Sequence, residues 1–127
     1  MATRELDGLT VILIEDDEDT RDVVRRLLDF ARQSESTRAN ASLNEVIDDV
    51  VALSRHLIHT SGVELKIALQ ADLPWVLMDS NQIKQVLLNL VHNALQAMPM
   101  GGELEIKSES ASRNNRRGVM VSVRDSG

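Results

Sequence analysis

The chain has 127 residues, about the length of one domain, and its 43% hydrophobic and 27% charged residues are typical of an ordinary globular protein. It contains no cysteine, which excludes disulfides and thiolate metal sites, and an aromatic content of 2% requires an aliphatic core. A net charge of −6 argues against non-specific nucleic-acid binding, and no apolar run approaches the ~20 residues of a membrane span, so we expect a cytoplasmic chain.

The first patterned stretch is residues 9–14, a continuous and largely β-branched apolar run. Such a run predicts a strand that is buried on both faces in a parallel sheet. Five acidic residues follow at positions 15–19, and they repel one another unless solvent or a cation relieves them. They can form either a solvated acidic turn before a helix or a magnesium site.

The string VILIEDDEDTRDVVRRLL resembles the first strand, acidic pocket and first helix of response-regulator receiver domains, over residues 7–28. The resemblance implies that Glu15 and Asp16 correspond to the magnesium-binding acidic pair of a receiver. A receiver also needs a phosphoacceptor aspartate, and a Thr or Ser and a Lys on later strands, and none of these can be placed in this sequence. We therefore expect no phosphoacceptor function.

Residues 20–33 form a predicted helix whose apolar face consists of Val23, Val24, Leu27, Leu28 and Ala31. The string VVRRLLDFARQSES also resembles the end of the second dimerisation helix of a histidine kinase. Receiver-like and kinase-like sequence thus meet within one helix, which suggests a recombined or engineered chimera, or an incomplete gene product. A natural full-length gene that encodes this junction would contradict that hypothesis. We expect residues 1–33 to be a β-α segment rather than an independent domain, and to form one folded unit with residues 34–127.

Ser42-Leu43-Asn44-Glu45 is a capping box that opens a predicted helix to about His59. The string LNEVIDDVVAL in this helix resembles the first helix of the histidine-kinase ATPase domain. Gly62 ends the helix. Alternating apolar and polar residues at 63–69 then predict a half-buried strand, and residues 75–78 predict a second, short strand.

Residues 79–98, DSNQIKQVLLNLVHNALQAM, form the most strongly patterned stretch and predict a helix with Asp79 or Ser80 as its N-cap. Its polar line includes Asn89 and Asn93, one turn apart on one face. Asparagine costs roughly 0.5 kcal/mol against alanine at each mid-helix position. The two amides either belong to a solvated helix face or serve a site.

The string NLVHNALQAM resembles the N-box of sensor histidine kinases, the helix that lines the ATP pocket of their GHKL-type ATPase fold. The resemblance implies that Asn93 holds the Mg²⁺ that bridges the nucleotide phosphates. It also implies that Asn89 lies one turn earlier on the same pocket-facing side. An amide suits this work because its carbonyl is a hard oxygen ligand and its NH₂ group can donate to phosphate.

Two strands follow this helix, predicted from alternation at residues 103–107 and 119–124. They read as a hairpin with a long polar loop over residues 108–117. Arg113, Arg116 and Arg117 in that loop can meet phosphate, but a solvated loop is the simpler interpretation.

The terminal Asp125-Ser126-Gly127 resembles the start of the histidine-kinase G1 box, D-x-G-x-G, and the combined kinase resemblance covers residues 43–127. It implies that Asp125 accepts a hydrogen bond from the adenine amino group and that Gly127 lets the backbone approach the base. The second glycine of that box, the ATP lid and the last helix and strands do not follow. We therefore expect an incomplete pocket, in which the terminal carboxylate of Gly127 opposes a triphosphate.

The three histidines lack the setting of a phosphoacceptor. His56 and His59 lie near a predicted helix end without an H-box, and His59 complements the helix C-terminus. His92 adjoins Asn93 and is expected on the helix surface. With no grouped histidines and no cysteine a zinc site is unsupported. We expect no catalytic residues and no autokinase activity from this chain alone.

The sequence as a whole predicts an α/β fold in which helices pack on one face of a mixed sheet, in the order β-α-α-β-β-α-β-β. This is a truncated histidine-kinase ATPase-like sandwich with an added receiver-like βα unit that takes the place of the lost elements. An incomplete sheet leaves an exposed edge and favours dimers of the chain with itself. Three functions remain open: an ATP- and Mg²⁺-binding kinase module, a non-catalytic chimeric scaffold, and a receiver-like Mg²⁺ binder.

Overall fold

The computed structural model describes residues 2–6, 8–15 and 38–127, so Asp16 and the predicted helix over residues 20–33 lie outside the described residues. The described elements follow one another as β1 (Ala2–Leu6), β2 (Leu9–Glu15), β3 (Ala39–Ala41), α1 (Leu43–Thr60), β4 (Val63–Leu69), β5 (Val76–Met78), α2 (Ser80–Gln96), β6 (Gly102–Arg113) and β7 (Arg116–Asp125).

Five of the described strands form one mixed sheet in the order β1-β2-β7-β6-β4. The β4–β6 pair is parallel, whereas the β1–β2, β2–β7 and β6–β7 pairs are antiparallel. Strands β3 and β5 form a separate antiparallel pair. The predicted mixed α/β architecture is confirmed.

The core lies on one face of the sheet. Residues directly opposite each other in a ladder share a face, and the buried Ile12 and Val121 are such a pair, as are Val123 and Ile106. Helix α1 packs beside β4, α2 packs beside β7, and the two helices pack on each other. The sheet residues on this face and the apolar faces of both helices therefore form one core. Its members among the described residues are aliphatic or Met, as the composition predicts.

Both helices begin where the sequence predicts. The Ser42 hydroxyl accepts a hydrogen bond from the Glu45 amide at 3.3 Å, and the Asp79 carboxylate accepts one from the Gln82 amide at 3.2 Å. Each cap satisfies one of the backbone donors that a helix start leaves unpaired. Gly62, just beyond α1, has a φ of +70°, a conformation that side chains with a Cβ rarely adopt.

The prediction of a parallel strand over residues 9–14 is wrong. Strand β2 is antiparallel to both of its neighbours, and buried and half-buried residues alternate along it. Its apolar run is continuous because Val11 and Leu13, on the face away from the helices, are themselves half-buried beside Ser122 and Met120. Strand β1, which pairs with β2, has no counterpart among the predicted elements.

The predicted loop over residues 108–117 is also wrong. Strands β6 and β7 extend through it to a two-residue turn at Asn114 and Asn115, where φ is +52° and +63°. Asparagine tolerates such angles, which match the twist of a tight hairpin. The strand is hard to recognise in the sequence because serines interrupt its apolar pattern. Ser108 is buried where an apolar residue would be expected, and its hydroxyl donates to the Asn44 side chain of α1 at 2.6 Å. Arg113, Arg116 and Arg117 therefore belong to paired strands.

We predict that Leu87→Ala lowers the free energy of unfolding by about 3 kcal/mol, because it leaves a cavity in the core. Leu87 is 2% exposed, whereas Leu53, also on a helix, is 70% exposed. Leu53→Ala is the matched control and should change stability by about 0.5 kcal/mol or less. Urea denaturation followed by circular dichroism measures both, and equal losses would contradict the assignment of the core.

Candidate functional site

Helix α2 presents two different faces. One face packs in the core through the buried Leu87, Val91 and Ala94. The opposite face is exposed and carries Asn89 and Asn93, one turn apart. The helix ends just after Asn93, whose backbone carbonyl accepts a hydrogen bond from the Ala97 amide at 3.0 Å. The amides therefore stand on a rigid helix, close to its C-terminal end.

The last three residues of the chain lie against this end of α2. A Cβ placed on Gly127 would lie 2.5 Å from the Ala97 carbonyl oxygen and 2.9 Å from Met98, so only glycine fits there without a shift. The Ser126 hydroxyl donates to the Met98 sulfur at 3.6 Å. The structure thus brings the DSG tripeptide and the end of α2 together, as the predicted site requires.

Hydrogen bonds to β6 hold Ser126 in this position. Its amide donates to the Glu103 carbonyl at 3.1 Å, and its hydroxyl accepts from the Glu103 amide at 2.9 Å. The Glu103 side chain in turn forms an ion pair with Lys66 at 3.0 Å. The hydrogen bond and negative charge of Glu103 raise the pKa of Lys66 above 10.5, although both side chains are open to solvent.

Asp125 lies between the chain terminus and the β1–β2 turn. One oxygen of its carboxylate, Oδ1, accepts a hydrogen bond from the Gly127 amide at 3.1 Å. Its own amide donates to the Gly8 carbonyl at 2.9 Å. Asp125 is half-buried, and a carboxylate can accept several hydrogen bonds, so capacity remains for a ligand donor.

The sequence prediction missed Gly8 because it did not recognise the β1–β2 hairpin. The signal was present, since the Asp7-Gly8 dipeptide stands between two apolar-containing runs and is typical of a two-residue hairpin connection.

Glu15, one of the two acidic residues predicted for a receiver-like magnesium site, lies far from this arrangement. Glu15 pairs with Gly118, seven residues along β7 from Asp125. Seven strand residues span roughly 23 Å. Within the described ranges no group of three or more His, Cys, Asp or Glu side chains could hold a metal ion. The Glu15–Asp16 site, half of which lies outside those ranges, stays a prediction.

The histidines lie on helix surfaces. His56, His59 and His92 are all exposed, as expected for His92 from the sequence. His59 lies in the last turn of α1, and a His92 ring nitrogen contacts the Gln96 side chain at 3.2 Å. A surface cleft lined by Gln70, Asp72, Ser110 and Arg117 lies at the opposite end of the β6–β7 hairpin from Asp125 and includes neither Asn89, Asn93 nor Gly127. Neither described helix combines the length and apolarity needed to cross a membrane.

Comparison with solved structures identifies the class of fold. The catalytic domain of the histidine kinase ThkA superimposes with a TM-score of 0.55 at 18% identity, over 69% of this chain and 95% of that chain. Full-length ShkA, solved in complex with AMPPNP, gives a TM-score of 0.54 at 25% identity, over 77% of this chain and 22% of that chain. The fold is that of histidine-kinase catalytic domains.

Sequence comparison then gives the family. The chain belongs to the histidine phosphotransferase C-terminal domain family, whose model matches residues 42–123. Sensor protein FixL of Bradyrhizobium diazoefficiens is 37% identical over 66% of this chain and 17% of its own length. The sensory histidine kinase/phosphatase NtrB of Escherichia coli O157:H7 is 34% identical over 93% of this chain and 35% of its own length. The chain thus spans about a sixth of the length of FixL and about a third of the length of NtrB.

These comparisons bear on the N-terminal segment. A match over 93% of the chain must include residues 20–33, where receiver-like and kinase-like sequence are predicted to meet. The comparisons therefore support kinase-like sequence through that junction. The receiver-like resemblance of residues 7–28 and the chimera hypothesis gain no support from them.

We predict that Ser126→Ala weakens the contact between the chain terminus and β6, because the Glu103 amide loses the hydroxyl that accepts its hydrogen bond. Hydrogen exchange of the Glu103 amide should accelerate about tenfold, which corresponds to the loss of one ordinary hydrogen bond. Amide exchange measured by NMR tests this. Ser112→Ala, at an exposed position of the same strand, is the control and should leave the Glu103 amide unchanged. Equal exchange in both variants would show that the hydroxyl does not hold this contact.

Proposed function

We propose that the chain is an ATP- and Mg²⁺-binding module of a two-component sensor histidine kinase and is not an autonomous kinase. The observation that carries the proposal is the packing of Gly127 on the end of α2, one turn beyond Asn93. Two motifs that resemble parts of one nucleotide pocket thereby become neighbours in space.

The chemistry of these residues fits a nucleotide that runs along α2. Asp125, hydrogen-bonded to the Gly127 amide, is an acceptor for the adenine amino group, and Gly127 lets the backbone pack closely on the end of the helix. Asn93 and Asn89 follow at steps of roughly 6 Å back along the helix, the rise of four residues. The carbonyl of Asn93 suits Mg²⁺ bound to the phosphates, and the amide of Asn89 suits the phosphate oxygens.

Similarity to kinases supports the proposal. ShkA, part of which superimposes on this chain, was solved with the nucleotide analogue AMPPNP. We assign the phosphoacceptor histidine to another part of a larger kinase. The three histidines of this chain lie on helix surfaces without an H-box, and the curated relatives FixL and NtrB are several times longer than this chain.

A second candidate is a non-catalytic scaffold that keeps the fold without binding nucleotide. The observation behind it is that the matching family is described as a histidine phosphotransferase C-terminal domain, a description that names no nucleotide. A third candidate, a Mg²⁺ site at Glu15 and Asp16 that needs no nucleotide, rests on sequence resemblance alone.

Calorimetric titration of ATP, with and without Mg²⁺, separates these candidates. The unaltered chain should bind Mg²⁺–ATP. Asn93→Ala should weaken Mg²⁺–ATP about tenfold or more and change Mg²⁺-free ATP less, because it removes a metal ligand. Asp125→Asn should weaken both by about ten- to a hundredfold, the range for a hydrogen bond to a charged group.

The control is Asn81→Ala, which removes an exposed amide from the first turn of the same helix and should leave binding unchanged. Absence of heat with the unaltered chain would overturn the proposal in favour of the scaffold. Heat that survives both Asn93→Ala and Asp125→Asn would overturn the residue assignment. Binding of Mg²⁺ without nucleotide, abolished by Asp16→Asn, would favour the third candidate.

Strand β4 pairs on one side with β6 and forms an edge of the described sheet. Ile67 on this strand is 41% exposed. We propose that two chains pair through this edge, since open strand edges favour such contacts.

Sedimentation velocity over a range of concentrations should then show a dimer. Ile67→Lys should abolish it, because a charge on an edge strand opposes pairing. Leu53→Lys, which places the same charge on the exposed side of α1, is the control and should leave it intact. A chain that stays monomeric at every concentration would contradict the edge-pairing proposal.

A further inference from the structure

The β1–β2 turn lies near the N-terminal end of the sequence but contacts Asp125 of the candidate nucleotide site, near the C-terminal end. Gly8 accepts the Asp125 amide hydrogen bond at its carbonyl, at 2.9 Å. Its φ is +79°, in the left-handed region that glycine adopts most readily. The turn therefore meets Asp125 through backbone alone.

The missing side chain of Gly8 leaves room for the Asp125 carboxylate. A Cβ at position 8 would lie 3.1 Å from Asp125 Oδ1 and 3.1 Å from the Asp125 carbonyl oxygen, closer than ordinary van der Waals contact. The same Oδ1 accepts the Gly127 amide at 3.1 Å. Any side chain at position 8 must push an oxygen that already holds the end of the chain.

We propose that Gly8 is a positioning residue for adenine recognition. Its carbonyl accepts the Asp125 amide, and the absence of a side chain leaves room for the Asp125 carboxylate in the orientation that accepts a hydrogen bond from the base. This inference rests on the proposed nucleotide-binding function. It adds that residues of the N-terminal hairpin, outside the matched family region of residues 42–123, set the base specificity of the site.

The selectivity for adenine follows from which partner donates the hydrogen bond and which accepts it. A carboxylate accepts hydrogen bonds only, so it pairs with the exocyclic amino group of adenine and opposes the carbonyl that guanine presents at the corresponding position. A displaced carboxylate loses that discrimination. Loss of base selectivity therefore distinguishes a positioning role from a general loss of stability, which would weaken ATP and GTP alike.

The matched pair of variants is Gly8→Asn and Gly62→Asn. Both glycines have a positive φ, +79° and +70°, and asparagine tolerates this conformation better than other side chains. A Cβ on Gly62 would meet no atom within 4 Å. The two substitutions therefore impose similar backbone strain, and only the one at position 8 contacts Asp125.

NMR of the nucleotide-free chain gives the first measurement. Gly8→Asn should shift the Gly127 amide and the Asp125 carboxyl carbon, and Gly62→Asn should leave both unchanged. Unchanged resonances in Gly8→Asn would overturn the positioning role, whatever the chain binds.

Calorimetry with Mg²⁺–ATP and Mg²⁺–GTP gives the second measurement. Gly8→Asn should weaken ATP about tenfold and GTP little, the effect of one hydrogen bond to a charged group. Gly62→Asn should keep the selectivity of the unaltered chain. Equal loss for both nucleotides in Gly8→Asn would overturn the inference, whereas an unaltered chain that binds no ATP overturns the proposed function itself and leaves the NMR result to decide the contact.

Discussion

The antiparallel pairing of β6 with β7 is the constraint on which the rest of the structure depends. Its register places Ile106 opposite Val123 in the core and Leu104 opposite Asp125 at the open end. A slip of one residue would turn every side chain of one strand to the other face. It would expose the valines of β7 and at the same time carry the DSG tripeptide away from α2. Core burial and site geometry are therefore set by one register, and neither can change without the other.

Helix α2 packs on that sheet and carries two residues of the candidate site, Asn89 and Asn93. Its buried face is held by the core, so the backbone positions of Asn89 and Asn93 on its exposed face are fixed. Asn89 and Asn93 each cost the helix roughly 0.5 kcal/mol of intrinsic propensity, a cost that the buried face readily offsets. A site built on such an element keeps its geometry when no ligand is present, which lowers the ordering cost of binding.

The parts of the fold that the sequence predicts well are those with strong local patterns. Helices α1 and α2, their caps, and strand β4 follow from periodicity and capping residues that lie close together in the chain. The errors occur where distant partners decide the structure. Ser108 is buried because Asn44 of α1 accepts its hydroxyl, and β2 has its direction because β7 pairs with it. Asn93 and Asp125 were predicted through motif resemblance. The Asp7-Gly8 dipeptide signals a turn, but nothing near it in the sequence indicates that the turn contacts Asp125.

The N-terminal hairpin gives the sheet its final form. Strand β2 pairs with the edge of β7 that β6 leaves open, and at Gly118 the two strands approach so closely that a Cβ would lie 2.5 Å from the Ile14 carbonyl oxygen. The hairpin therefore completes the sheet at one end of β7 and contacts Asp125 at the other. Because a ligand that binds only the folded state stabilises every contact needed for its site, nucleotide bound at Asp125 would also stabilise the pairing of β2 with β7. In the proposed module, docking of the N-terminal hairpin and recognition of the base are thus two parts of one equilibrium.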